Sequence, residues 1–231
     1  MVGAPSKDGR AVRPRTGVRR STQQKADALL RAAAAIIADQ GFEATGIRDV
    51  GRRLEVSLGG MYYYFASKDD LLFQIQHRTF TALLDAQRRA AAEPGSPRER
   101  LRRLLVGHLA FFVSHPNEMK ICTNELDSLK GEPYDRVLAV RRQYYRIMAD
   151  VVAQLTNGGQ GKVRESSRSR HFTLFIFGML NWAFMWYRAS KDGPVDALAD
   201  EMLELVLNGV GRPLRVRESS EAESRKLTKT G

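Results

Sequence analysis

The chain of 231 residues contains one cysteine, Cys122, so no internal disulfide can form, and a reducing, cytoplasmic setting is expected. It also lacks a bilayer-length apolar run. Its most apolar stretch, residues 172–187, is interrupted by Thr173, Gly178 and Asn181 and falls short of the roughly 20 residues a span needs. Residues 1–20 are too polar for a signal peptide, so no membrane partner is expected. Alternation of the strand type is absent, which excludes a sheet-based fold. Catalytic signatures are missing too: there is no glycine-rich phosphate loop, no H-E-x-x-H and no paired-cysteine metal motif. His108, His115 and Cys122 recur every seven residues, but Pro116 interrupts any helix that would align them. No enzyme activity, metal or cofactor is expected.

What the chain does have is positive charge, formally +11. Residues 1–20 hold six basic groups against one acid, and residues 212–231 six against three. Both tails are poor in large apolar side chains and cannot offset the entropy of ordering, so residues 1–21 and 212–231 are expected to be flexible. The body is nearly neutral. Its 43% hydrophobic content suits a packed core, and apolar residues recur at spacings of three and four.

That periodicity predicts an all-α fold of about nine helices. Ser21 or Thr22 caps a first helix with the stripe Leu29, Ala33, Ile36 and Ile37, closed at Gly41. Thr45 caps a short second helix, Ser57 a third over residues 58–65, and Ser67 a long fourth with Asp69 and Asp70 in its first turn. Further helices are expected over 97–114, 119–129, 131–156, 165–189 and 195–208, with a mobile glycine-rich loop at 157–161. The eighth helix is apolar nearly all round, as a core helix that also meets a second subunit would be. Leu198, Met202, Leu205 and Val206 on the last helix form a second stripe, so two helices from each chain would make a four-helix dimer interface.

Residues 45–65 have the layout of a helix-turn-helix with an unusual second helix. Gly59 and Gly60 each cost about 1 kcal/mol relative to alanine. Tyr62, Tyr63 and Tyr64 cover too much of the circumference to be core together. A helix so poorly optimised for itself suits close approach to a DNA major groove. The run T-G-I-R-D-V-G-R-R-L-E-V-S-L-G-G-M-Y-Y-Y-F-A-S-K-D-D-L-L at 45–72 resembles the TetR/AcrR family of bacterial transcriptional regulators.

The resemblance implies a helix-turn-helix DNA-binding domain over 22–70 and an effector-binding and dimerisation domain over 71–211. It implies a homodimeric repressor on a palindromic double-stranded operator, released by a lipophilic small molecule. DNA contacts are implied for Thr45, Arg48, Ser57, Leu58, Gly59, Gly60, Tyr62, Tyr63, Tyr64 and Lys68, with Phe65 as the core anchor. Leu58 stands where the family often has lysine, Gly46 where a second threonine or serine is common, and Glu55 at a turn position usually held by glycine. The last departure implies a strained or reshaped turn.

An apolar effector pocket is expected from Phe111, Phe112, Met119, Tyr144, Tyr145, Met148, Phe175, Met179, Asn181, Trp182 and Met185, a set rich in methionine and aromatics that suits an adaptable lipophilic site. The run F-G-M-L-N-W-A-F-M-W-Y-R at 177–188 resembles the subgroup that controls fatty-acid or sterol breakdown, which implies an acyl-coenzyme A effector, with Arg141, Arg142 and Arg146 as candidate cations. A drug, a steroid or a free fatty acid is the alternative effector. A non-specific architectural DNA-binding protein is the alternative function.

Segment 21–70 is formally −1, so the basic arm beside it is the main electrostatic aid. Removing residues 1–20 is expected to lower DNA affinity and flatten its salt dependence, by a slope of about 0.9 for each phosphate no longer neutralised, with sequence preference intact. Gel shifts across a salt series on specific and scrambled duplexes check this.

Overall fold

In the computed structural model, which describes residues 16–156 and 165–210, ten α-helices and no strand are present among those residues. They are α1 (Thr16–Gln40), α2 (Ile47–Arg53), α3 (Leu58–Tyr64), α4 (Lys68–Ala92), α5 (Pro97–Ser114), α6 (Pro116–Asn124), α7 (Gly131–Thr156), α8 (Ser167–Trp186), α9 (Ala189–Asp192) and α10 (Val195–Val210). The expected tail at 212–231 and the loop at 157–161 lie outside the described residues, as do residues 1–15 of the arm. Three boundaries differ from the sequence reading. α1 starts at Thr16, so Ser21 and Thr22 lie inside it rather than at its start, and a deletion that tests the arm alone must stop at residue 15. Pro116 opens α6 after the N-cap His115, because a proline in the first turn forfeits no helical hydrogen bond. The tenth helix is the four-residue α9, too short to leave a periodic pattern.

The described residues form two compact units. The first comprises the chain up to Leu84 together with His115–Arg142. In it α1 buries Ala26, Leu30, Ala33, Ala34 and Ile37 and packs on α6. The stripe runs through Leu30, with Leu29 only half-buried. Phe42, Val50, Met61, Phe65, Leu71, Leu72 and Ile75 are buried in the same unit.

The second unit comprises Asp85–Ser114 and the chain from Gln143 onward. Its core combines Leu101, Leu104, Leu105 and Leu109 of α5, Met148, Val151 and Val152 of α7, Ile176, Leu180 and Ala183 of α8, and Leu198, Ala199, Met202, Leu203 and Val206 of α10. α8 starts with a capping box in which Ser166 and Ser169 satisfy each other's backbone. Its inward face is Ser169, Thr173, Ile176, Leu180 and Ala183, spaced four and three apart, while Phe175, Trp182, Met185 and Trp186 remain exposed. No helix among the described residues is long and apolar enough to cross a membrane.

The connection from α2 to α3 is a tight reversal. Leu54 ends α2, Glu55 N–H donates to the Arg52 carbonyl (3.3 Å) and Val56 N–H to the Gly51 carbonyl (2.9 Å). This is the paired hydrogen-bond closure of a Schellman motif, whose left-handed residue is usually glycine. Here it is Glu55, the one non-glycine with positive φ (55°) among the described residues. An L-residue in that conformation carries a penalty of roughly 1 kcal/mol. Glu55→Gly is therefore expected to raise stability by up to about 1 kcal/mol, read as an increased urea midpoint at unchanged slope.

Candidate nucleic-acid interface

The geometry of residues 45–70 is set by one close approach. A β-carbon at position 51 would lie 2.9 Å from the Val56 carbonyl oxygen and 3.0 Å from Met61 Cγ, so only glycine lets α2 and α3 pack this tightly. Gly51 is a residue the sequence reading missed, although its place in the middle of a short helix, where glycine is costly, was the available sign. Met61 and Phe65 are fully buried and anchor α3. Their burial supplies roughly 3 to 6 kcal/mol in all, more than the roughly 2 kcal/mol lost at Gly59 and Gly60 together.

With Met61 inward, Gly59, Tyr62 and Tyr63 share the outward face at i, i+3 and i+4. Tyr62 is 50% and Tyr63 73% exposed. Tyr63 meets Tyr64 edge to face at 4.9 Å, and Tyr64 is half-buried, its carbonyl accepting from Gln74 Nε2 at 3.4 Å. Ser57 caps α3 by accepting from Gly60 N–H at 3.1 Å and is itself exposed. Leu58 is half-buried. The two glycines differ: a β-carbon at Gly59 would meet open space, whereas one at Gly60 would press on Val56 Cγ1 (2.9 Å) and Ser57 Oγ (3.2 Å). Internal packing therefore gives Gly60 a reason of its own, beside the DNA approach expected of it.

Thr45 needs a larger correction. It is 2% exposed, and its hydroxyl donates to the Gly41 carbonyl at 2.7 Å, tying the end of α1 to the start of α2. The N-cap of α2 is Gly46, with no side-chain cap bond, so Thr45 neither caps nor presents its hydroxyl to a phosphate. α2 relies instead on Asp49 in its first turn and on Arg52 and Arg53 in its last, which suit the helix dipole, and Arg52 is paired with Asp49. Arg48 is exposed on the same helix. Lys68 opens α4, but its ammonium donates to the Glu43 carbonyl (3.2 Å) and lies 4.2 Å from the Phe42 ring centroid, so the loop between α1 and α2 holds it. The start of α4 is fixed by Ser67, which accepts from Asp70 N–H, and by Asp70, whose carboxylate accepts from Ala66 N–H.

The expected effector residues separate into three groups. In the second unit Phe112, Tyr144 and Met148 are buried, whereas Phe111, Tyr145, Met179 and Asn181 are half-buried. Met119 is buried in the first unit. Phe175, Trp182 and Met185 are 64%, 61% and 51% exposed and belong to the outer face of α8 rather than to an interior pocket. A helix apolar all round does not reveal which side is inward; here the smaller side chains took the crowded side. For the same reason Leu198, Met202 and Val206, expected at a dimer interface, are buried in their own unit, and of that stripe only Leu205 is exposed. An open apolar groove nevertheless runs between α8 and α10, lined by Met179, Trp182, Trp186, Leu198, Met202 and Leu205.

His108, which the sequence reading weighed only with His115 and Cys122, continues the buried stripe of Leu101, Leu104 and Leu105. Its Nδ1 is hydrogen-bonded to the Tyr144 hydroxyl, and its ring stacks on Phe112 at 4.3 Å and meets Phe177 edge-on at 6.5 Å. Burial lowers its pKa to about 3, so the ring is neutral. Burial pushes the Cys122 thiol up to about 12, which makes it a poor nucleophile at neutral pH. Of the candidate cations, Arg141 is held on the Cys122 carbonyl (3.2 Å) and over Phe80 (4.9 Å); Arg142 and Arg146 are exposed.

Comparison with known proteins bears on both ends of the chain. Residues 29–75 match the family model of bacterial regulatory proteins of the tetR family, and residues 94–210 that of the tetracyclin repressor-like C-terminal domain. The HTH-type transcriptional repressor KstR2 of Mycobacterium tuberculosis is 26% identical over 183 residues, 79% of this chain and 90% of that protein. The fatty acid metabolism regulator protein of Bacillus subtilis is 22% identical over 184 residues, 79% of this chain and 93% of its own. Among solved structures, that of AibR in complex with isovaleryl coenzyme A and operator DNA superposes with a TM-score of 0.68 at 21% identity, covering 78% of this chain and 96% of AibR. With a buried anchor under an exposed tyrosine face in the helix-turn-helix, and family matches over both regions, this chain belongs to the TetR family of bacterial transcriptional regulators.

Proposed function

We propose that the protein is a repressor that binds a palindromic operator as a homodimer and leaves it when a lipophilic effector, an acyl-coenzyme A thioester, binds the second unit. The observation that carries the DNA part is the outward face of α3. Two phenols and a bare glycine stand on a helix clamped from beneath by Met61, Phe65 and Gly51, so little reorganisation is needed on docking. Tyrosine hydroxyls serve phosphate oxygens and base edges alike, and the glycine allows the backbone to come close. A twofold operator needs two such faces about 34 to 36 Å apart, hence two copies. The exposed α8 and α10 face is where a second copy would bury Trp182, Trp186 and Leu205.

For the effector, the aromatic and methionine-rich interior of the second unit suits an acyl chain. Support also comes from relatives: one is by name a regulator of fatty acid metabolism, and AibR was solved with an acyl-coenzyme A. Exposed Arg146 of the second unit remains a candidate for the coenzyme phosphates, whereas Arg141 and Arg142 belong to the first unit.

Tyr62→Ala and Tyr63→Ala are each expected to weaken operator binding about tenfold, in line with the roughly 1 to 3 kcal/mol that one such interaction is worth, with the helical circular dichroism unchanged. Unaltered gel-shift affinity in both would remove the assigned face, and uniform footprinting without a protected palindrome would favour a non-specific binder. Trp182→Glu is expected to yield a monomer by light scattering and to lose operator binding. Micromolar long-chain acyl-coenzyme A is expected to release the operator from the wild type; failure of every acyl and steroid thioester would exclude this effector class.

A further inference from the structure

Two side chains in the second unit are buried with one hydrogen-bonding atom each left over. Gln87 is 0% exposed, and its Nε2 donates to the Leu104 carbonyl (3.2 Å), yet its Oε1 has no partner among the described residues. His108 is 1% exposed, its Nδ1 is used by Tyr144, and its Nε2 has none. Gln87 stands on α4, but its amide reaches the Leu104 carbonyl, one helical turn before His108 on α5, so one orphan-bearing side chain packs against the turn of α5 that carries the other. Leaving such an atom unpaired costs about 1 to 3 kcal/mol. Two at one turn of α5 is an expensive arrangement for a core with no other use for them.

The sense of each atom follows from its neighbours. Burial raises the Tyr144 pKa, so the phenol keeps its proton and can donate it to His108 Nδ1. In that tautomer the neutral imidazole carries its own proton on Nε2. One orphan is thus an N–H donor and the other an amide oxygen acceptor. Phe112, Tyr144 and Phe177 meet the imidazole ring, and burial is the cause of its lowered pKa, with no contribution from a charged side chain among the described residues.

We infer that His108 Nε2–H and Gln87 Oε1 form a polar anchor for the effector, and that the anchor takes a neutral oxygen, a hydroxyl or a ketone, ester or thioester carbonyl, on an otherwise apolar molecule. A carboxylate is selected against, because among the described residues no charged side chain acts on the imidazole, and an unpaired buried charge costs far more than an unpaired dipole. A carbonyl satisfies the histidine alone; a hydroxyl can satisfy either atom. The inference rests on assigning effector binding to the second unit, and it separates thioesters, ketones and alcohols from free fatty acids within that assignment.

The test is direct calorimetric titration of the full chain with three ten-carbon probes, methyl octyl ketone, decyl alcohol and decanoate, at neutral pH. The wild type is expected to bind the ketone and the alcohol at least tenfold more tightly than decanoate. The double variant His108→Leu with Tyr144→Phe removes the donor without orphaning the phenol. It is expected to keep operator binding and thermal stability while losing about tenfold in ketone affinity. Decanoate binding as tight as the ketone, no binding of either neutral probe (a buried water only), or unchanged ketone affinity in a folded double variant would each overturn the anchor. If the double variant does not fold, the wild-type order of the three probes decides. Operator release by acyl-coenzyme A is a separate readout, so failure of the effector assignment and failure of the anchor are told apart.

Discussion

The missing β-carbon at residue 51 is the constraint on which the proposed DNA-reading surface depends. With no side chain there, the Val56 carbonyl and the Met61 side chain come within about 3 Å of where one would be, and the α2 to α3 turn closes through the Gly51 and Arg52 carbonyls. That closeness sets the rotation of α3. Met61 must face inward, and a seven-residue helix with Met61 inward has Gly59, Tyr62 and Tyr63 outward. The strained Glu55 is a consequence: the reversal demands a left-handed residue at that point, and the packing gained below it exceeds the local cost.

How much of this could be read in advance divides along physical lines. The helix-turn-helix was legible because its signals are local: a serine cap, a run of tyrosines too wide for a core, and an anchor one turn on. The strain at Glu55 was legible because left-handed closure has a strong residue preference that glutamate violates. Thr45 misled because threonine beside a helix start is a good cap in general. Here a neighbouring carbonyl, that of Gly41, competed for its hydroxyl and won at 2.7 Å. α8 misled for the opposite reason, an excess of apolar residues. When every face is hydrophobic the moment vanishes, and the inward side is chosen by volume. Ser169, Thr173 and Ala183 fit beneath α5 and α10, where Trp182 and Phe175 would not. His108 was weighed only as one of three residues at seven-residue intervals, because a histidine in a leucine stripe carries no mark of its partner; Tyr144, 36 residues away, meets it only in the fold.

Polar groups are used in two ways. In the first unit several are spent on closure: Thr45 on Gly41, Gln76 on the Glu125 carbonyl, Phe42 N–H on the Glu125 carboxylate, Lys68 on Glu43. Each such bond ties a loop or helix end. In the second, Gln87 and His108 are each held by one bond and left with one atom over, as Gln76 is in the first, at a cost to stability. What sets the second unit apart is that its two orphan-bearing side chains meet at one turn of α5, where aromatic rings surround the imidazole.

Charge adds a final distinction. The segment assigned to DNA reading is formally −1, and two of its cations are already engaged, Arg52 with Asp49 and Lys68 with Glu43 and Phe42. Attraction to phosphate therefore does not rest on the net charge of that segment. Attraction that is long-ranged and indifferent to sequence suits the basic residues 1–15, while hydroxyls and a bare backbone, short-ranged and geometrically demanding, suit α3. Separating the two allows the operator sequence to be selected by fit without the reading face itself binding any duplex it meets.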